Sequence, residues 1–217
     1  MSQEMADLLK IAAACKLSIV VAGGTGSGKT TMLNAVSQFI DPASRVITIE
    51  DSAELRLNIP HKVRMEARPH IHGMAEYTEV TIRELVKNSL RMRPDRIIVG
   101  ETRGPEAFDM ILAMNTGHEG SMTTVHANNA REALVRFENM MMMAVTTLPQ
   151  KAIRQQITSA VNLVIMVSRG RDGVRRVTEI SEVTGMEGDM IVMQPLFEFK
   201  DEGDTPDGKI KGIFKAT

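Results

Sequence analysis

The octet Gly23-Gly24-Thr25-Gly26-Ser27-Gly28-Lys29-Thr30 constrains this chain more than any other feature. It follows the apolar run Ser18-Ile19-Val20-Val21-Ala22 and leads into a segment of helical apolar period from Thr31. Strand, glycine loop and helix in that order are the setting of a phosphate-binding loop. Glycines allow consecutive N–H groups to turn inward, and the helix that follows adds its positive dipole end. The expected phosphate contacts are Gly24, Thr25, Gly26, Ser27, Gly28, Lys29, Thr30 and Thr31. Lys29 supplies a point charge for the β- and γ-phosphates, and the Thr30 hydroxyl suits Mg²⁺. An ordinary glycine-rich turn would not need all eight positions in this context.

Alternation of short apolar strands with helical segments predicts an α/β fold with a mostly parallel central sheet flanked by helices and a β-rich C-terminal part. Helices are expected over residues 7–16, 28–40, 78–92 and 149–160, and strands over 18–22, 45–50, 97–100, 121–125 and 161–167. Asp41-Pro42 ends the second helix. Lys62–Ala67 reads as an extended strand or hairpin arm and His70–Tyr77 as a loop. Pro105 starts a helix that ends before Gly117, and Asn128 or Asn129 caps the next. Segments 174–183 and 190–199 are β-rich, and 201–208 reads as an acidic loop. The organisation implied is a helical remnant at 1–17, one domain at 18–200 and a tail at 201–217.

Composition narrows the function classes. The formal net charge of −1 gives no broad attraction to nucleic acid. No apolar run has the length of a membrane span, and the first twenty or so residues carry no signal-peptide pattern. The single cysteine, Cys15, forms no internal disulfide and is expected as a buried apolar thiol. Together these features point to the cytosol. The run Met140–Met143 fits core packing at a helix end better than a soft binding surface.

Three further elements adjoin strand ends, where parallel sheets bind ligands. Glu50-Asp51-Ser52-Ala53-Glu54 places three carboxylates after a strand, suited to Mg²⁺ ligation or to aligning an attacking water. Arg96-Ile97-Ile98-Val99-Gly100-Glu101 ends in a carboxylate of the reach needed near Mg²⁺ and the γ-phosphate, although Gly100 stands before Glu101 where an Asp is usual. Finally, His118 and His126 flank the strand at 121–125. They lie eight residues apart with no cysteine nearby, unlike common zinc spacings, and His126 is expected to donate to a phosphate oxygen or a water.

With these four elements in order, the chain resembles the ATPases of type II and type IV secretion and of type IV pilus assembly. It is similar in particular to the tight-adherence (Flp-type, CpaF-like) pilus assembly ATPases. Arg91-Met92-Arg93-Pro94-Asp95-Arg96-Ile97-Ile98-Val99-Gly100-Glu101, Met114-Asn115-Thr116-Gly117-His118, Thr123-Thr124-Val125-His126-Ala127-Asn128 and Thr184-Gly185-Met186-Glu187-Gly188-Asp189 carry that likeness. The resemblance implies a RecA-like P-loop domain that uses ATP and Mg²⁺ in a homo-hexameric ring. It implies a place at the cytoplasmic face of the inner membrane, against platform proteins of a secretion or pilus machine. It also implies Glu54 as general base, Glu101 as the Walker B acid, and His118 and His126 as a His-box pair; Glu50 is the alternative catalytic carboxylate of the same box, and Thr30 and Glu101 are the metal contacts that the residues themselves suggest. Arg103 is expected as a coupling residue, chosen from Arg64, Arg68, Arg83, Arg91, Arg93 and Arg103. Such proteins carry an N-terminal domain that closes over the nucleotide and contributes arginines, so a domain preceding this chain is expected. The box here reads Glu-Asp-Ser-Ala-Glu where many relatives carry a central Pro.

Other classes fit less well. A GTPase switch needs a guanine-reading Asn-Lys-x-Asp segment and a transporter-type ATPase a Leu-Ser-Gly-Gly signature; the chain contains neither. A DNA translocase needs a basic track and stacking aromatics, against one tyrosine and no tryptophan here. The competing non-enzymatic reading is a nucleotide-binding core that does not turn over without its N-terminal domain.

Overall fold

The computed structural model describes residues 1–70 and 78–217. The loop expected at His70–Tyr77 lies, apart from His70, outside the described residues. Among the described residues, nine strands form one sheet in the order β3-β2-β4-β5-β1-β6-β7-β8-β9. The first six of that order run parallel: β3 (Lys62–Glu66), β2 (Val46–Glu50), β4 (Arg96–Val99), β5 (Met122–His126), β1 (Ile19–Gly23) and β6 (Leu163–Arg169). β7 (Arg175–Glu187), β8 (Met190–Asp204) and β9 (Ile210–Ala216) continue it antiparallel.

β1 is buried at all five positions because helices cover both faces of the parallel part. Side chains alternate between two cores. Val20, Ala22, Ile47, Ile49, Ile97 and Val99 pack under α3 (Ile82–Ser89), α4 (Glu106–Asn115), α5 (Ala130–Ala144) and α6 (Gln150–Ala160). Ile19, Val21, Val46 and Ile98 pack on the other face with α1 (Gln3–Ala14) and α2 (Lys29–Ser37).

Several local expectations change. α1 starts four residues before Asp7, because the Ser2 side chain accepts from the Met5 N–H and caps it. Cys15 falls beyond the buried stripe of Met5, Leu9, Ala12 and Ala13, and its thiol is exposed rather than buried. α3 starts only at Ile82. A capping box between Thr81 and Glu84 fixes that start, while Val80 bridges to Arg68 as extended chain. Lys62–Glu66 is a parallel edge strand on β2, not a hairpin arm. Asn129 caps α5. Met140 and Met141 enter the core and Met142 and Met143 face solvent, since consecutive helical residues point to different sides.

The acidic segment expected as a loop at 201–208 is strand as far as Asp204. Arg171, in the β6–β7 turn, pairs with both Asp201 and Asp204 and holds the β8 end against that turn. Residues 201–217 thus supply the end of β8, a turn and β9. Asp172 of the same turn is enclosed, its side chain 1% exposed, and accepts from Arg176 Nη2 at 2.6 Å and from the N–H groups of Val174 and Ile210, both at 3.1 Å. The Arg176 guanidinium, helped by those N–H groups, holds the carboxyl well below the usual carboxylate range.

A carboxyl depressed in the folded state stabilises it above the unfolded value of about 4, and that stabilisation is lost as pH falls below it. Thermal unfolding of Asp172→Asn against wild type should therefore show a gap that is full at neutral pH and narrows as pH falls below about 4. A gap that stays constant down to acid pH would assign the loss to packing instead.

Candidate nucleotide site

The octet leaves β1 at its carboxyl end. Gly26 and Gly28 adopt φ values of 68° and 101°, the left-handed region that glycine tolerates. Gly28 stands as N-cap of α2 with no side-chain cap, so the first-turn N–H groups of that helix face the cleft above the loop. Gly23 is required for packing: a Cβ there would stand 2.2 Å from the Val167 carbonyl oxygen of β6.

The cleft, about 660 Å³, is lined by Thr25, Gly26 and Gly28–Thr31 and by the ends of four other strands. β2 supplies Glu50 and the acidic segment to Glu54, β4 leads to Gly100 and Glu101, β5 supplies Thr124 and His126, and β7 supplies Arg175. Register explains the gathering. Gly23 pairs with His126 across β1 and β5, which sets the imidazole beside the loop. The Gly100 N–H donates to Ile49 O at 2.8 Å, and Thr124 Oγ1 donates to Gly100 O at 2.7 Å, fixing the carboxyl end of β4 between its neighbours. A Cβ on Gly100 would stand 3.0 Å from Glu50 Cγ, so the position before Glu101 is kept free of a side chain by Glu50.

Lys29 folds back on the loop. Its Nζ donates to Gly24 O at 3.0 Å and lies 3.3 Å from His126 Nε2. Burial lowers its pKa below the ordinary lysine value, and the nearby Glu101 opposes that shift. Glu101 Oε2 pairs with Arg103 Nε at 3.0 Å. Its Oε1 lies 3.2 Å from His126 Nε2 without hydrogen-bond alignment and is buried with no hydrogen-bond partner. Such an oxygen in a polar cleft beside Thr30 fits a hard cation, so Thr30 and Glu101 are suited to hold Mg²⁺. Arg103 also pairs with Asp51 and so ties the acidic segment to Glu101.

Not every expected residue has the expected environment. Glu50 is 4% exposed, and its Oε1 accepts from the N–H groups of Glu54 at 3.0 Å and Leu55 at 2.9 Å. It shapes the loop that carries Glu54 and is not a free carboxylate. Glu54 is exposed on the cleft wall. Ser27 is 2% exposed and turns its side chain away from the cleft, and Gly24 contributes the carbonyl that holds Lys29.

His118 is separated from the cleft. It precedes the amino end of β5, where its carbonyl accepts from Ser121 Oγ at 2.7 Å. His126 is the last of the five residues of β5, so the four before it, roughly 3.3 Å each, stand between the two histidines. A pair flanking a strand in sequence lies at opposite ends of that strand, so the two do not meet.

Of the other arginines considered, Arg64 donates to Leu55 O and Arg83 pairs with Asp109 at 2.7 Å. Arg175, whose Nε donates to Gly26 O at 2.8 Å, is not signalled by any of the sequence elements above. It lies 149 residues from its partner and carries no motif, and the only sequence signal is its place in a basic turn after a core strand.

The sequence model of the family described as type II/IV secretion system protein matches residues 1–187. The chain belongs to that family. It is 45% identical over 174 residues to a Mycobacterium tuberculosis protein provisionally named for conjugal transfer, covering 80% of this chain and 48% of that one. It is 39% identical over 184 residues to the type IV secretion system protein PtlH of Bordetella pertussis, covering 80% and 52%. Among solved structures, the VirB11 ATPase of the Brucella suis type IV secretion system, in complex with sulphate, superposes with a TM-score of 0.73 at 36% identity, over 82% of this chain and 51% of that one. The chain thus spans about half the length of the curated relatives it matches. The Legionella pneumophila ATPase DotB, at 23% identity and a TM-score of 0.60, shares the fold.

Substituting Glu50 isolates its part in the loop. Glu50→Ala leaves two N–H groups without their acceptor and should lower stability by roughly 2–3 kcal/mol. Glu50→Gln keeps an acceptor oxygen and should lose less than half of that in denaturant unfolding. Equal losses would mean that the hydrogen bonds to Glu54 and Leu55 do not set the loop.

Proposed function

We propose that this chain is the ATP-hydrolysing motor domain of a secretion or pilus assembly ATPase, of the tight-adherence type that its motifs resemble. The observation that carries the reading is the convergence of Lys29, Glu101 and Glu54 on one cleft above a phosphate-binding loop. Membership of the secretion family and likeness to the VirB11 ATPase support it.

In this reading the loop N–H groups and the first turn of α2 cradle the phosphates. Lys29 exchanges Gly24 O for the β- and γ-phosphate oxygens and moves away from His126. Glu54 orients a water in line with the γ-phosphate and takes its proton. His126, released from Lys29, donates to a γ-phosphate oxygen. Glu101 and Thr30 would hold Mg²⁺, which would supply positive charge to offset that on the phosphate oxygens. Arg103, bridging Glu101 and Asp51, links the state of the cleft to the acidic loop.

The whole protein is proposed to work as a homo-hexamer at the cytoplasmic face of the inner membrane, against membrane platform proteins; among the described residues no helix is long and apolar enough to cross a membrane. Because the chain spans about half of its relatives, turnover is assigned to the full-length protein, and a nucleotide-binding core is the second reading for this chain alone.

Glu54→Gln in the full-length protein should keep ATP affinity within about twofold while hydrolysis falls by 10² or more, the range of a general base. Phosphate release and equilibrium binding on the same samples test this. Unchanged turnover would remove Glu54 from the role of base.

A further inference from the structure

Arg175 opens β7 and reaches the cleft from the side opposite the carboxylates. In the sheet, β2, β4 and β5 stand on one side of β1, and β6 and β7 on the other. Glu54, Glu101 and His126 therefore form one wall and Arg175 part of the other. The side chain lies along the loop: Nε donates to Gly26 O at 2.8 Å, and Cδ is 3.1 Å from where a Cβ on Gly28 would stand. Among the described residues its Nη1 and Nη2 have no hydrogen bond or ion pair, so the outer edge of the guanidinium is uncommitted.

The cleft also sets the direction of a bound nucleotide. The γ-phosphate belongs beside Lys29 and the carboxylates, and the α- and β-phosphates along the loop N–H groups. The base then emerges on the β6–β7 side. The residues lining the cleft include no Phe, Tyr or Trp on which it could stack. A planar, permanently charged guanidinium pinned at Nε offers a π face there at little further loss of rotamer freedom.

We infer that Arg175 is the base-end clamp of the nucleotide site, its guanidinium plane stacking on the purine while Gly26 holds it in place. The inference rests on the nucleotide-site reading above and adds to it a contact in the same subunit that sets preference for a nucleotide over a bare phosphate chain. A point charge aimed at the α-phosphate would behave differently, because lysine could replace it.

The test is equilibrium binding of ATP and of inorganic tripolyphosphate, each with Mg²⁺, to wild type, Arg175→Ala and Arg175→Lys, with matching thermal midpoints as the check on folding. The clamp predicts that both variants lose ATP affinity by about tenfold and keep tripolyphosphate affinity within about twofold. Equal losses for the two ligands, full rescue by Arg175→Lys, or no loss at all would overturn it. Failure of wild type to bind either ligand would instead overturn the nucleotide-site reading, and the clamp with it.

Discussion

The structure depends on the parallel seating of β1 between β5 and β6. All three strands are covered on both faces, and their close approach at the carboxyl end leaves no room for a side chain at Gly23. That constraint launches the loop from the centre of the sheet. It also pairs Gly23 with His126 and brings the ends of β2 and β4 alongside. The cleft is therefore a product of strand register, and its polar groups are held at the rim of a closely packed core.

Within the cleft, polar groups stand against one another in a chain. Lys29 is drawn to Gly24 O and stands against His126; His126 stands against Glu101; Glu101 pairs with Arg103, and Arg103 with Asp51. The buried Glu101 Oε1 without a hydrogen-bond partner is the point at which this chain is incompletely satisfied, a cost that a bound cation would offset. Burial lowers the Lys29 pKa, and an incoming phosphate chain would favour its charged form. The arrangement is thus suited to reorganise when an anion arrives.

Much of this was legible in the sequence, where local chemistry and topology coincide. The octet, the apolar strands that precede Glu50 and Glu101, and the alternation of strands with helices specify both the parallel sheet and the end of it that carries the site. What was not legible came from contacts between distant segments. Glu50 reads as one more carboxylate until its two N–H donors are seen, and His118 reads as the twin of His126 until β5 separates them. Arg175 has no motif, because the sheet order alone brings β7 to the loop. The acidic stretch after Phe199 reads as a loop until Arg171 is seen to pair with two of its carboxylates in the folded chain.

The most direct test of the central claim is calorimetric titration of ATP with Mg²⁺ into this chain and into Lys29→Ala, with folding verified for both. The account predicts measurable binding by the wild-type chain and binding weaker by about a hundredfold or more in the variant, since the proposed mechanism assigns the β- and γ-phosphates to Lys29. Wild-type affinity in a folded Lys29→Ala chain would contradict it, and the cleft above the loop would not be where the nucleotide is held.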